Sequence, residues 1–312
     1  MTDPVLVLGA TGTQGGSVAR HLRKAGIPVH ALVRDPSSTK AKALESLGVV
    51  LFKGSWDDTE ALALALKGTK AAFLNFYPSL TDLRQELRDA ETVLAAAKAA
   101  GVKHIVYSGL LGIDTILASL PSDLGSNAFM APWFQTKKDT IDAVVSAGFE
   151  MHTILLPGKF MSDFYTDGGI WYGDLSKTGV FETTIRPEEK IHFVDPDDIG
   201  ALAAAAFTDT GKFAGQTVDV VTEVLSADEA IRRLSEATGK KMNVRYLSDT
   251  EVEERVKVNV LAVAQLMTGA ISEVTNMDKV KAWGVPVGSF ANFLERESAT
   301  LKETYSGLPD AN

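Results

Sequence analysis

Leu8–Gly16 reads LGATGTQGG, with Gly9, Gly12 and Gly15 spaced three apart and Gly16 in addition. Without a Cβ, backbone can turn tightly and let a pyrophosphate approach its amides. The cluster follows the apolar run Val5–Leu8 and precedes a helical pattern, Gln14–Ala25, in which Val18, Leu22 and Ala25 recur at helical spacing. A helix N-terminus at the end of such a loop favours an anion, because its first N–H groups are free and its dipole is positive there. Strand, glycine turn and helix in this order are the context in which a glycine fingerprint points to a dinucleotide rather than to a plain turn. The end of the next strand, Val29–Val33, selects between dinucleotides. An acid there would bind a ribose 2′-hydroxyl, but this chain has Arg34, which suits a 2′-phosphate. Asp35 is followed by Pro36, whose turn aims the carboxylate elsewhere, and Lys40 and Lys42 add positive charge at the same rim. The reading is NADP(H) over NAD(H).

Other residue types narrow the chemistry. The chain has no cysteine, which excludes disulfides, thiolate catalysis and Cys-ligated metals. His21, His30, His104, His152 and His192 show no metal-ligand spacing, and the acids of DPDDIG, Asp195–Gly200, read as the start of a helix rather than as a metal site. Trp133 and Lys137 lie one helical turn apart on one face. Phe129, Trp133 and Phe134 precede that lysine, and Phe160, Phe164, Tyr165, Trp171 and Tyr172 follow the sixth strand. In a parallel α/β fold both stretches fall at the carboxyl ends of the strands, where ligands bind. They read as walls for a flat apolar or aromatic substrate, as core, or as a partner-binding face.

The elements that must position these residues alternate. Strands at Val5–Leu8, Val29–Val33, Val49–Phe52, Ala71–Phe76 and Lys103–Tyr107 are separated by helical stretches at Gln14–Ala25, Thr39–Leu47, Thr59–Leu66 and Leu83–Ala100. This rhythm predicts right-handed βαβ units in a doubly wound parallel sheet of the Rossmann type. Met151–Leu156 is a further strand, Asp198–Phe207 an alanine-rich helix, Thr217–Val221 a strand, and Ser226 with Glu229 a capping box for Ala227–Ala237. The remainder reads as mostly helical to about Leu301, with a loose tail at Ser306–Asn312. The expected division is an NADP(H)-binding Rossmann domain at 1–157 and a smaller, mostly helical C-terminal region at 158–312, of which about 190–225 returns to the first domain.

With 312 residues, 45% hydrophobic and 23% charged, the chain has the composition of an ordinary globular protein with a sizeable core. Its net charge of −9 argues against direct nucleic-acid binding. MTDPVLVLGA reads as neither a signal nor a transit peptide, and no apolar run approaches the roughly 18 residues of a membrane span. A cytoplasmic protein is expected, with the nucleus open, as a monomer or homodimer and without a membrane.

GATGTQGG, LVRDP, GSWDD, VKHIVYSG, LLPGKF and VDPDDIG, running from Gly9 to Gly200, together resemble the NmrA-like group of atypical short-chain dehydrogenases. Members of that group bind NADP(H); some are redox sensors that regulate partner proteins, and others, further off, are NADPH-dependent reductases. The resemblance implies that Gly9, Thr11, Gly12, Thr13, Gln14 and Gly15 line the pyrophosphate and that Arg34, with Lys40 at the rim, meets the 2′-phosphate. It places Asp57 near the adenine, and Asn75 and Phe76 beside the nicotinamide ribose. It places Ser108 where the superfamily often keeps a catalytic or nicotinamide-side hydroxyl. Lys137 matches the lysine that bonds the nicotinamide ribose, and Pro157 and Phe160 match the segment closing over the nicotinamide. Orthodox members carry Tyr-x-x-x-Lys, whereas Trp133 stands four residues before Lys137 here. Indole is no general acid near neutral pH. Sensor-type members have lost the same tyrosine. The mammalian sensor also has a lysine where Glu91 stands and a tyrosine where Lys159 stands. The function expected from these residues is a cofactor-dependent regulator acting on a protein partner. The alternative is an NADPH-dependent reductase of a small apolar quinone, imine or conjugated alkene, with Lys137 and Ser108 as its catalytic candidates.

Arg34→Ala should weaken NADP(H) binding by about 10- to 100-fold, the loss of one charged phosphate contact, and leave NAD(H) binding little changed. Equal titration curves for NADP and NAD on the unmodified protein would contradict the assignment.

Overall fold

Short apolar segments, each closed by a turn, build the central sheet of the computed structural model, which describes residues 3–79 and 81–311. The first elements are β1 (Val5–Val7), α1 (Thr13–Lys24), β2 (Val29–Val33), α2 (Thr39–Ser46), β3 (Val50–Lys53), α3 (Thr59–Leu66), β4 (Ala71–Leu74), α4 (Gln85–Ala99) and β5 (His104–Ser108). After α5 (Ile113–Ser119) come α6 (Met130–Ser146) and β6 (Met151–Pro157). The seven-stranded sheet runs Gln216–Val220, β6, β5, β4, β1, β2, β3, and every pairing is parallel. β1, β4 and β5 are buried throughout, as central parallel strands covered on both faces must be. β3 is the edge, and its Val50 is 52% exposed. Leu6, Leu8, Leu62, Leu66, Leu74, Val93, Ile105 and Ile154 form the centre of one apolar cluster. The order reverses between β1 and β4, the switch point beyond whose carboxyl ends a Rossmann-type sheet holds its ligand.

The chain divides into two units: 1–111, 132–157 and 196–220, and 112–131, 158–195 and 221–312. The division differs from the sequence reading at 112–131, which belongs with the second unit. Asn127 Nδ2 donates to the Val256 carbonyl at 2.8 Å and Ser126 Oγ to the Lys257 carbonyl at 2.7 Å, so this segment satisfies the last carbonyls of the helix Asp249–Val258. The segment that returns to the sheet is 196–220, narrower than the expected 190–225.

The second unit holds more strand than the sequence reading allowed. Glu223–Leu225, Ile191–Val194 and Lys159–Phe160 make one sheet, and Asn243–Tyr246 pairs with Val180–Thr183. Its core is aromatic. Phe164 and Tyr172 stack at 4.0 Å, and Phe193, Phe290 and Phe293 continue the cluster. The capping box forms, with the Ser226 and Glu229 side chains each taking the other's backbone N–H. Of the tail expected to be loose, Asn312 lies outside the described residues, and 306–311 are tied down. Leu308 is buried, Lys240 pairs with Asp310 at 2.8 Å, and the Ala311 N–H reaches the Gly239 carbonyl at 2.9 Å. No helix among the described residues is long and apolar enough to cross a membrane.

His104, on β5, is buried against Phe207 with ring centroids 5.2 Å apart. Burial, with His152 adding repulsion, pushes its pKa from 6.5 to about 4. The native state therefore holds the neutral ring, and protonation favours the unfolded chain. Stability on the order of 3 kcal/mol should be present above pH 6.5 and be lost as pH falls through 4. His104→Phe should flatten this acid limb in denaturant titrations; an unchanged limb would show that the ring does not carry it.

Candidate cofactor and active site

The turn between β1 and α1 is set by two missing Cβ atoms. Gly9 sits at φ +62, where a side chain would also come within 2.7 Å of Asn75 Oδ1. A Cβ on Gly15 would lie 2.4 Å from the Gly9 carbonyl oxygen and 2.5 Å from that of Leu8. The helix thus begins against the backbone that ends β1. The Gly12 N–H closes the turn on the Gly9 carbonyl at 2.8 Å, and Gly12 itself is the N-cap. The next bond runs from the Gly16 N–H to the Gly12 carbonyl at 3.0 Å, which leaves the N–H groups of Thr13, Gln14 and Gly15 without a partner among the described residues. Gly12 and Thr13 are exposed, and Thr11 and Gln14 half-buried.

The carboxyl ends of neighbouring strands surround this turn. Ser108, the last residue of β5, donates through Oγ to Gln14 Oε1 at 2.6 Å and so ties the loop to the sheet. β4 ends at Leu74, and Asn75 follows with its Oδ1 buried and unpaired. An acceptor in that state is costly unless a ligand donor meets it. Phe76 lies between Trp56, at 5.9 Å, and Tyr107, at 6.1 Å. Past β2, Arg34 is exposed and makes no ion pair or hydrogen bond within the described protein. Asp35 instead turns back, its Oδ1 accepting from Ser37 N at 2.9 Å and Ser37 Oγ at 2.6 Å, bonds that hold its carboxyl below the usual range. Lys40 is exposed in the first turn of α2. Asp57 accepts from the Ser55 hydroxyl, which lowers its pKa. Pro157, the last residue of β6, is buried, and its carbonyl accepts the Leu111 N–H at 3.1 Å. A cofactor with a pyrophosphate, a ribose and an extra phosphate fits this set: three free N–H groups, one orphaned carbonyl oxygen and one unpaired guanidinium.

Lys137 has a partner that its spacing did not reveal. Its Nζ lies 2.8 Å from Glu86 Oε1 and 2.7 Å from Oε2. The glutamate side chain is 3% exposed and the lysine 13%. The Tyr107 hydroxyl donates to the same Oε1 at 3.3 Å, and burial, reinforced by Glu86, pushes this phenol well above its ordinary pKa. Tyr107 is thereby held as a donor to Glu86 and is no substitute for the missing acid. Trp133 places its ring 5.5 Å from Lys137 Nζ, and its Nε1 is buried without a partner. In sequence, Glu86 is an acid in the first turn of α4, a place where acids ordinarily complement the helix dipole in water. Only the approach of α6 and β5 makes it a buried counter-ion.

The other aromatic candidates are in the second unit. Phe164 is fully buried in the aromatic core, and half-buried Tyr165 stacks on Phe293 at 6.1 Å. Phe160 and Phe129 are half-buried. Trp171 is 41% exposed and carries Lys159 Nζ 4.7 Å from its ring centroid, while Lys159 pairs with Asp163 at 2.8 Å. Lys159, Trp171, Tyr172 and Gln265 border a cavity of about 30 Å³, room for a water or two.

A model of the NmrA-like family matches residues 1–306. An NAD(P)H azoreductase from Xenophilus azovorans is 29% identical over 309 residues, which cover 95% of this chain and 99% of that protein. Among solved structures, triphenylmethane reductase from Citrobacter sp., complexed with NADP(H), matches with a TM-score of 0.70 at 23% identity, over 96% of this chain and 99% of that one. NmrA, a negative transcriptional regulator in complex with NADP, matches at 0.63 and 21% identity, over 99% of this chain and 93% of that one. At those identities the two structures speak for the fold alone.

Removing one partner of a buried ion pair should cost about 3–5 kcal/mol, whereas replacing both with apolar groups is often neutral. Glu86→Leu and Lys137→Met should each destabilise strongly, and the double variant should recover much of the loss in denaturant titrations. Additive losses would mean that the two side chains are not coupled.

Proposed function

The chain belongs to the NmrA-like family, and on that premise we propose that it binds NADP(H) at the glycine turn and reduces a conjugated, electron-poor small molecule. The observation that carries the cofactor is the convergence of unsatisfied groups at the carboxyl ends of the sheet. The N–H groups of Thr13, Gln14 and Gly15 would hold the pyrophosphate, Arg34 the 2′-phosphate, and Asn75 Oδ1 a donor on the nicotinamide side. Lys137 would meet the nicotinamide ribose through an N–H that Glu86 leaves free. Bound NADPH would supply a hydride.

The substrate class follows from Trp133. Reduction of a simple carbonyl places charge on one oxygen and needs an acid beside it, which indole cannot be. A quinone or conjugated alkene spreads the charge, an iminium or cationic dye loses charge, and each can take any needed proton from water. The azoreductase relative, similar over nearly its whole length, is in keeping with a reductase, and the regulator expected from the most distinctive motif has its own counterpart in NmrA. The paired Lys137 adds no net positive charge to the site, which suits a neutral or cationic acceptor.

NADPH absorbance followed against a panel of quinones, iminium ions, azo dyes, conjugated alkenes and simple carbonyls should show turnover with the conjugated acceptors and little with simple aldehydes. Lys137→Ala should greatly reduce it. No turnover, together with a difference between NADP and NADPH in the order of residues 158–175 or in partner affinity, would favour a redox-dependent regulator instead. Gly12→Val is the matching cofactor probe. A Cβ there comes no closer than 3.1 Å to the Gly9 carbonyl oxygen, so the fold should survive while the thermal stabilisation by NADP disappears. Full stabilisation of that variant would remove the turn as the phosphate cradle.

A further inference from the structure

Helix α1 begins without the side chains that ordinarily hold a helix start. Its N-cap is Gly12, no side chain caps it, and its first turn carries no acid. A side-chain bond from another element holds it instead. Ser108 Oγ donates to Gln14 Oε1 at 2.6 Å, from a residue 94 positions later. β5, which ends at Ser108, lies two strands from β1, with β4 between them. Strands two apart are separated by about 10 Å, so a serine spans that gap only because the long side chain of Gln14 comes to meet it. The anchor is firm: Ser108 is 6% exposed, and the Gly109 N–H that follows it bonds the Leu155 carbonyl of β6 at 2.8 Å.

We propose that Ser108 is a positioning residue for the cofactor and not a proton donor: it holds the first turn of α1, whose free N–H groups would meet the pyrophosphate, in place against the sheet. The inference rests on the reading above that NADP(H) binds at this turn. A serine hydroxyl carries one hydrogen, and this one lies on the bond to Gln14. The amide oxygen that accepts it has no proton to pass on, so no relay through Gln14 can restore a proton to the hydroxyl. Ser108 therefore joins Trp133 in supplying no acid, and its effect falls on binding.

The test is the NADPH dissociation constant, read by cofactor fluorescence, with 2′-AMP as a competitor that has the 2′-phosphate but no pyrophosphate. Ser108→Ala should weaken NADPH binding by about three- to tenfold, the loss of one neutral hydrogen bond, and leave 2′-AMP binding unchanged. Gln14→Asn, one methylene too short for the bond, should weaken NADPH at least as much. Ser108→Ala added to it should then cost nothing further, because the bond is already gone. In the cofactor-free protein, amide exchange of residues 12–16 should quicken in both single variants. Unchanged NADPH affinity in Ser108→Ala, an equal loss for 2′-AMP, or a further loss on the Gln14→Asn background overturns the proposal. So does a fall in kcat of about 100-fold with NADPH affinity intact, the mark of a lost proton donor. If the unmodified protein binds neither NADP nor NADPH, the cofactor reading is lost and this one with it. Normal binding that ignores both substitutions ends only the role of Ser108.

Discussion

The helix α1 can start where it does only because nothing larger than hydrogen stands on Gly15. Its Cα faces the carbonyl oxygens of Leu8 and Gly9 at a range that a methyl group would violate. That approach turns the first N–H groups of α1 to the open end of β1, at the point where the strand order reverses. The neighbouring strand ends then take their meaning from it. Ser108 clasps Gln14, Asn75 holds an unpaired oxygen beside Gly9, and Arg34 is unpaired one strand away. The dinucleotide site proposed here would follow from sheet topology plus one close backbone contact, with side chains choosing which dinucleotide.

The same sheet end carries an ionic group of a different kind. Lys137 and Glu86 come from separate helices and neutralise each other with little help from water. Trp133 stands one turn away with a buried indole N–H, a donor that does not give up its proton. In the proposed site, a lysine paired with a carboxylate and an indole would bind and align an acceptor, and the indole is no general acid near neutral pH. On that proposal the acceptor must stabilise its own developing charge.

The second unit is organised by aromatic packing rather than by a long sheet. Phe164, Tyr172, Phe193 and Phe290 form its centre, and Arg296 closes on buried Asp195 with two bonds of 2.9 Å. Burial is what separates the aromatic residues that follow β6. Phe164 is committed to the core, while Trp171 keeps much of its surface beside Lys159.

The sequence by itself determined what depends on neighbours a few residues away: the alternation of strands and helices, the glycine turn, the choice of Arg34 over an acid, and the capping box of Ser226 and Glu229. Each rests on local backbone geometry or on a bond spanning three residues, so its residues announce it. Tertiary structure decided the rest. Glu86 reads as a solvated helix-start acid and becomes a buried counter-ion only when a lysine 51 residues later reaches it. The segment 112–131 carries no mark of its unit, because its attachment is to carbonyls some 130 residues away, 129 for Asn127 and 131 for Ser126. The tail reads as loose, yet Leu308 is buried, and Asp310 finds a lysine 70 residues earlier. The physical reason is the same in each case. Burial and long-range pairing are properties of how elements approach one another, and no spacing along one element encodes them.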